Sequence, residues 1–392
     1  MAVWFAALES LVTKAPSRRA DVRGAPFGGV YSGLRVLITG HTGFKGSWLA
    51  YWLSELGAHV AGYALAPPTE PSLFAALRLG ERLTHTEADV RDLDALSAAL
   101  ASFQPEIVFH LAAQPLVRYS YCEPRLTYET NVMGCVNLFE AVRAASSVAV
   151  VVNVTSDKCY ENREVERPYR EDDALGGHDP YSSSKGCAEL VTSAYSRSFF
   201  GAGARVRLAS ARAGNVIGGG DWAPDRIIPD CVRALVAGAP VLVRNPNAMR
   251  PWQHVLEPLS GYLRLASCMY AGAHDFDGAW NFGPAAEAGV PVAQVTSAFL
   301  DAWGAGEWRG KPEAMGAEPH EATLLTLDSS KAAKRLGWAP TWGVDEVVRR
   351  TAEWYRGFYS AGSDEQRAAA AVAMTRGDIA AYTDAARTAA AE

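Results

Sequence analysis

The sequence predicts an α/β protein built on a doubly wound parallel sheet, followed by a smaller and less regular lobe. Three observations carry that expectation. Short apolar, β-branched runs alternate with Ala/Leu-rich helical patterns from residue 34 to about residue 218. Three glycines punctuate the first strand–helix junction. From Gly218 onward Gly and Pro crowd in, and tryptophans recur (Trp222, Trp252, Trp280, Trp338). Alternating strand and helix requires right-handed crossovers, which lay helices on both faces of a parallel sheet.

Each element can be justified in turn. LRVLIT (34–39) is a short apolar run closed by glycine, as a strand buried on both faces should be. After GHTGFKGS, residues 48–56 carry apolar side chains at helical spacing. HVAGYAL (59–65) reads as the second strand, and HTEADVRD (85–92) as the third with its exit. EIVFHLAAQ (106–114), AVVVNVTS (149–156) and VRLASARAGNVIG (206–218) follow as fourth, fifth and sixth. Helical patterns fill 130–145 and 183–196, and GAWNFG (278–283) reads as a strand returning to the main sheet. The domain organisation is therefore an extension over 1–33, a dinucleotide-binding domain over 34–218, a lobe over 219–365, and an Ala-rich tail over 366–392, helical or frayed.

Composition excludes several function classes. A net charge of -6 offers no electrostatic case for nucleic acid or an anionic membrane. No apolar run reaches the ~18 to 20 residues that cross a bilayer. At the N-terminus the apolar MAVWFAALESLV precedes its basic residues (Lys14, Arg18, Arg19, Arg23), the reverse of a secretory signal. The six cysteines are scattered with no C-x-x-C pair, so no metal site is expected, and free thiols in a reducing cytoplasm are.

The chemistry gathers in three places. Gly40, Gly43 and Gly46 give G-x-x-G-x-x-G between a strand and a helix, a turn that lets backbone approach a pyrophosphate on the helix N-terminus. The acidic residue that grips the adenosine ribose about 20 positions on is missing, so NAD versus NADP is not fixed there. Asp89 suits an adenine contact and a helix N-cap equally. Tyr181 and Lys185 form Y-x-x-x-K behind Asp179-Pro180, which places phenol and ammonium on one helix face. An ordinary phenol titrates near ~10. A neighbouring ammonium should lower that value and make Tyr181 a usable acid/base. Finally, the fifth strand delivers Ser156, Asp157 and Lys158 side by side at its mouth. His110, in contrast, follows an apolar run and reads as a structural histidine.

These motifs, with HLAAQ (110–114) and Asn131, resemble the extended short-chain dehydrogenase/reductase superfamily. TGHTGFKGSWL, HLAAQPLVRYSY, TSDKCYEN, NVIGGGDWAPDRIIPD and RPWQHVLEPL narrow the resemblance, over residues 31–358, to its nucleotide-sugar 4,6-dehydratases. The resemblance implies a Rossmann domain, a tightly held NAD that is returned unchanged, a nucleotide-sugar substrate and a homodimer. Cofactor contact would fall to Gly40, Thr42, Gly43, Phe44, Lys45, Gly46, Asp89, Val90, Leu111, Ala112, Ala113, Tyr181 and Lys185. Substrate contact would fall to Gln114, Asn215, Arg226, Arg250 and His254, with Arg250 and Asn215 favoured for the diphosphate. Tyr181 would deprotonate the sugar 4-hydroxyl, Lys185 hold the nicotinamide ribose, and Ser156 bond the same 4-oxygen.

Elimination of water across C5 and C6 needs two further groups. Asp157 is the implied acid, with a pKa raised towards neutrality. Many family members place a glutamate base next; here Lys158 stands in its place, as base or as stabiliser of the C5 enolate. A free lysine is protonated at neutral pH, so a base at this position requires burial or a neighbouring cation. Two other readings compete: a 4-epimerase, which does not need Asp157 and Lys158, and a dinucleotide-sensing regulator, which does not need Ser156, Tyr181 and Lys185.

Overall fold

The computed structural model describes residues 26–164, 167–201, 203–272, 275–284, 289–310 and 325–389. Most of the predicted N-terminal extension lies outside that range. Seven parallel strands form the main sheet: β1 (Arg35–Thr39), β2 (His59–Ala64), β3 (Thr84–Glu87), β4 (Ile107–His110), β5 (Val150–Val154), β6 (Arg207–Arg212) and β7 (Gly278–Asn281). Their order is β7-β6-β5-β4-β1-β2-β3. The order reverses beside β1, and the register sets Thr39 beside His110 and His110 beside Asn153. Three strand ends therefore open on one edge, the switch point where α/β sheets bind ligands.

The strands are buried on both faces, which is why their sequences read as continuous apolar runs. Along β5, Val150, Val152 and Val154 enter one core with Trp48, Trp52 and Leu259. Val151 faces the other with Leu96, Leu138 and Leu208. Each such side chain contributes roughly 1.5–3 kcal/mol by leaving water. Helices α1 (Phe44–Glu55) and α5 (Leu256–Tyr270) supply the first layer; α2 (Leu93–Phe103), α3 (Gly134–Ala144) and α4 (Pro180–Ser198) supply the second. The first core continues into Ile228, Val295 and Trp354, so the later residues share it with the sheet.

Two features differ from the sequence reading or complete it. The third strand stops at Glu87, and the helix after it is capped by Asp92, whose side chain accepts from Ala95 N, not by Asp89. Asp89 turns instead to Arg91, accepting from its backbone N at 2.9 Å and its guanidinium at 2.7 Å. The Ala-rich tail is a helix, α7 (Asp364–Ala389), that follows α6 (Val344–Ser360) and buries Ala371, Ile379 and Tyr382.

Candidate active site

The strand ends and the later residues enclose a cleft of about 950 Å³. Its floor begins at the glycine loop. Gly40 has φ +78°, and a Cβ there would lie 2.6 Å from the Ala112 nitrogen. A Cβ on Gly46 would lie 2.1 Å from the Gly40 oxygen. Only glycine allows this approach of α1 to β1 and β4. Gly43 caps α1 with no side-chain hydrogen bond, so the helix N-terminus faces the cleft as an anion-binding end.

The segment that carries Ser156, Asp157 and Lys158 leaves β5 tied to β6 and its exit: Thr155 N donates to Ala211 O at 2.9 Å and Asp157 N to Ala213 O at 3.2 Å. Ser156 Oγ donates to Asp157 Oδ1 at 2.9 Å and accepts from Lys158 N at 3.2 Å. Asp157 is buried yet lines the cleft. Burial pushes its carboxyl up, against the opposing charges of Lys158 and Lys45 and the hydroxyl of Ser156.

Helix α4 starts at Asp179, whose Oδ1 accepts from Ser182 N at 2.9 Å, with Pro180 at its first position. Ser120 Oγ accepts from Tyr181 N at 3.1 Å and pins that turn. Tyr181 and Lys185 are both buried and both line the cleft, with the amine 6.0 Å from the ring centre. The Tyr/Lys pairing predicts a lowered phenol, but the phenol is raised. Burial pushes it up to about 12; Ser156 and the charge of Arg226 pull the other way without prevailing. At 6.0 Å the ammonium does not outweigh desolvation. Burial likewise pushes the Lys185 amine down, and takes Lys45 down to about 8 with help from Arg226.

The remaining candidates divide. Thr42, Phe44, Lys45, Asp89, Val90, Leu111, Ala112 and Ala113 line the cleft on the sheet side, and Asn215, Arg226 and Arg250 line it on the lobe side. Arg226 is paired with buried Asp221 at 2.7 Å, so it is part of the cleft wall. Gln114 and His254 are not at the surface of the cleft. Gln114 is spent on its own loop: Oε1 accepts from Leu116 N at 2.6 Å and Nε2 donates to Thr127 Oγ1 at 2.9 Å. His254 lies in the core between Trp48 and Trp342, its Nδ1 accepting from Leu256 N at 3.3 Å. Gln114 follows the apolar Leu111–Ala113 run and His254 precedes Val255-Leu256, so each sits beside apolar chain that enters the core. His110 is structural, its Nδ1 2.6 Å from Thr39 Oγ1.

Sequence reasoning passed over Asp221, Arg212 and Glu189. Only Glu189 carried a readable signal, four residues after Lys185 on the same helix face. No group of three or more potential metal ligands occurs among the described residues, and no helix among them is long and apolar enough to cross a membrane.

Comparison with known proteins identifies the family to which this fold belongs. Residues 37–276 match the family described as GDP-mannose 4,6 dehydratase. The chain is 52% identical over 331 residues to CDP-glucose 4,6-dehydratase of Salmonella typhimurium, covering 83% of this chain and 91% of that one. It is 28% identical over 329 residues to dTDP-glucose 4,6-dehydratase of Streptomyces antibioticus, covering 82% and 92%. The solved structure of Thermus thermophilus UDP-glucose 4-epimerase in complex with NAD aligns with a TM-score of 0.70 at 25% identity, over 83% of this chain and 99% of that one. With 52% identity to a dehydratase over most of its length, this chain belongs to the nucleotide-sugar 4,6-dehydratases of the extended short-chain dehydrogenase/reductase superfamily.

Proposed function

We propose that this chain is a hydro-lyase that converts CDP-glucose to CDP-4-keto-6-deoxyglucose with NAD as a recycled cofactor. One observation carries the reading. Ser156, Asp157 and Lys158 meet Tyr181 and Lys185 in a single cleft, and Asp157 is a buried carboxyl pushed up by that burial. A 4-epimerase on the same scaffold has no use for Asp157 and Lys158. The 52% identity to a CDP-glucose enzyme supports the choice of base.

The glycine loop fits a dinucleotide, because the crowding at Gly40 and Gly46 brings backbone to the place where a pyrophosphate meets a helix N-terminus. NAD, when bound, supplies the acceptor that takes hydride from sugar C4 and returns it at C6. Lys185 holds the nicotinamide ribose. Tyr181 receives the proton of the 4-hydroxyl, with Ser156 bonding the same oxygen and Arg226 favouring the phenolate. The 4-ketone acidifies C5–H. Lys158 then takes the C5 proton, or balances the enolate while a water carries it, and Asp157 gives its proton to the departing 6-hydroxyl, so one water leaves. As hydride arrives at C6, a solvent-exchanged proton returns to C5 by the route on which the first one left. Arg250 and Asn215 hold the diphosphate from the lobe side.

The product supplies deoxysugar and surface-polysaccharide synthesis, such as that of lipopolysaccharide, in the cytoplasm. Two copies pair as a homodimer through the helical faces where Tyr128, Met133 and Leu190 leave apolar surface in water.

Incubation with CDP-glucose and NAD in deuterated water tests the reading by NMR and mass. It requires a 4-keto-6-deoxy product carrying one deuterium at C5, with no net NADH. Turnover confined to a dTDP, UDP or GDP sugar would overturn the substrate assignment. Lys158→Met should block loss of C5–H while bound NAD is still reduced; full turnover by that variant would end its assigned role.

A further inference from the structure

Beneath the cleft lies a buried ion pair that the reaction scheme above leaves without a role. Glu189 of α4 and Arg212 of β6 meet at 2.8 Å, and both side chains are 3% exposed. Burial opposes ionisation of Glu189, but Arg212 and the Thr155 and Ser210 hydroxyls hold its carboxyl below the usual range. Removing two charges from water is costly, and such a pair is weak evidence of net stability. Arg212 Nε even lacks a hydrogen-bond partner among the described residues.

What the pair touches is specific. Thr155 Oγ1 donates to Glu189 Oε1, while Ser210 Oγ donates to Oε2 at 2.7 Å. Arg212 Nη1 donates to Tyr160 Oη at 2.7 Å, and the guanidinium lies 4.8 Å over the Tyr160 ring. Tyr160 Oη in turn donates to Asn281 Oδ1 of β7 at 2.8 Å. Thr155 and Tyr160 are the residues that flank Ser156, Asp157, Lys158 and Cys159. Both ends of the catalytic segment are therefore fastened to one ion pair, whose carboxylate sits one turn beyond Lys185.

We propose that the Glu189–Arg212 pair is a clamp, with Thr155 and Tyr160 as positioning residues that hold Asp157 and Lys158 at sugar C5 and C6. The inference rests on the dehydratase reading. It separates two halves of the reaction: Tyr181 and Lys185 ride on α4 and serve oxidation at C4, whereas the clamped segment carries both groups of the elimination and only the Ser156 hydrogen bond of the oxidation. Loosening the clamp at Thr155 must slow elimination more than oxidation.

The test uses the full chain with Thr155→Val and Tyr160→Phe, each nearly isosteric and each deleting one hydroxyl, and Thr155→Ser as the conservative rescue. Thr155→Val is expected to lower kcat about 10- to 100-fold, the cost of a small misplacement of reacting groups, with KM for CDP-glucose within about twofold. Reduced nicotinamide should accumulate on the enzyme during turnover, read at its near-ultraviolet absorbance, and Thr155→Ser should restore the native trace. Without cofactor or substrate, amide hydrogen exchange over residues 156–160 should rise in both Thr155→Val and Tyr160→Phe. If both variants turn over like the native protein, or if oxidation and elimination slow equally with no reduced nicotinamide accumulating, the clamp is overturned. A native protein that does not dehydrate CDP-glucose would instead overturn the reading of its function. The exchange measurement would still decide whether the ion pair holds the segment.

Discussion

Two buried carboxyl groups, Asp157 on the cleft floor and Glu257 on α5, look alike by their surroundings' effect on the proton. Burial pushes both up, Glu257 to about 7. Their neighbours separate them. Asp157 lines the cleft beside a hydroxyl and two amines. Glu257 is enclosed by donors that finish a structural joint: Thr341 N at 3.0 Å, Trp342 N at 2.8 Å and Tyr382 Oη at 2.7 Å. A perturbed proton affinity marks desolvation, and only reach to a space that admits substrate turns it into chemistry.

Two substitutions bear on the cleft-lining member of that comparison, to which a catalytic role is proposed. Tyr181→Phe removes the group proposed to accept the 4-hydroxyl proton, and turnover should fall about 10²- to 10⁴-fold with no reduced nicotinamide formed. Asp157→Asn should cost less, about 10²-fold, and reduced nicotinamide should build up because oxidation precedes the loss of water. Since burial disfavours the Asp157 carboxylate, the neutral replacement should leave the unfolding midpoint near pH 7 unchanged or higher. A large loss of stability in Asp157→Asn, with the two half-reactions slowed equally, would put it in the same structural class as Glu257.

The same contrast explains what was legible in the sequence. The Rossmann sheet was, because β5 and its partners are buried on both faces and must be written as apolar runs. The glycine loop was, because the approach of α1 to β1 tolerates no Cβ at Gly40 or Gly46. Tyr181 and Lys185 share a helix face by spacing alone. Gln114 and His254 were misread because a polar residue beside an apolar run looks the same whether it faces ligand or closes a loop; only the partners Leu116, Thr127, Trp48 and Trp342 tell. The direction of the Tyr181 shift was misjudged for a related reason. Spacing reveals the lysine, but not how dry the phenol is. Arg212 was invisible because its partner lies 23 residues away in sequence. Asp221 was invisible because its partner Arg226, only five residues on, is reached across an irregular loop with no helical or strand spacing to mark the pair.

The structural member, Glu257, predicts a pH dependence. Its folded value of about 7 lies above the ordinary 4.5, so its contribution is fully present below about pH 4.5 and is lost as pH rises through about 7. Asp378 beside Arg350 is raised to about 6 and acts in the same direction. The unfolding midpoint should therefore decline between about pH 4.5 and 7 as these groups ionise. Tyr382→Phe gives the smallest effect and the sharpest one. It removes the hydroxyl that bonds Glu257 and Ser260 at the socket of α7, at a cost of about 1–3 kcal/mol, with kcat unchanged because no cleft residue is touched. The Tyr382 hydrogen bond lowers the Glu257 value, so its loss raises that value and moves the decline to higher pH. Unfolding midpoints of both proteins from pH 4.5 to 8 measure this. Curves that run parallel, offset but unshifted, would mean that the Tyr382 hydrogen bond does not set the proton affinity of Glu257.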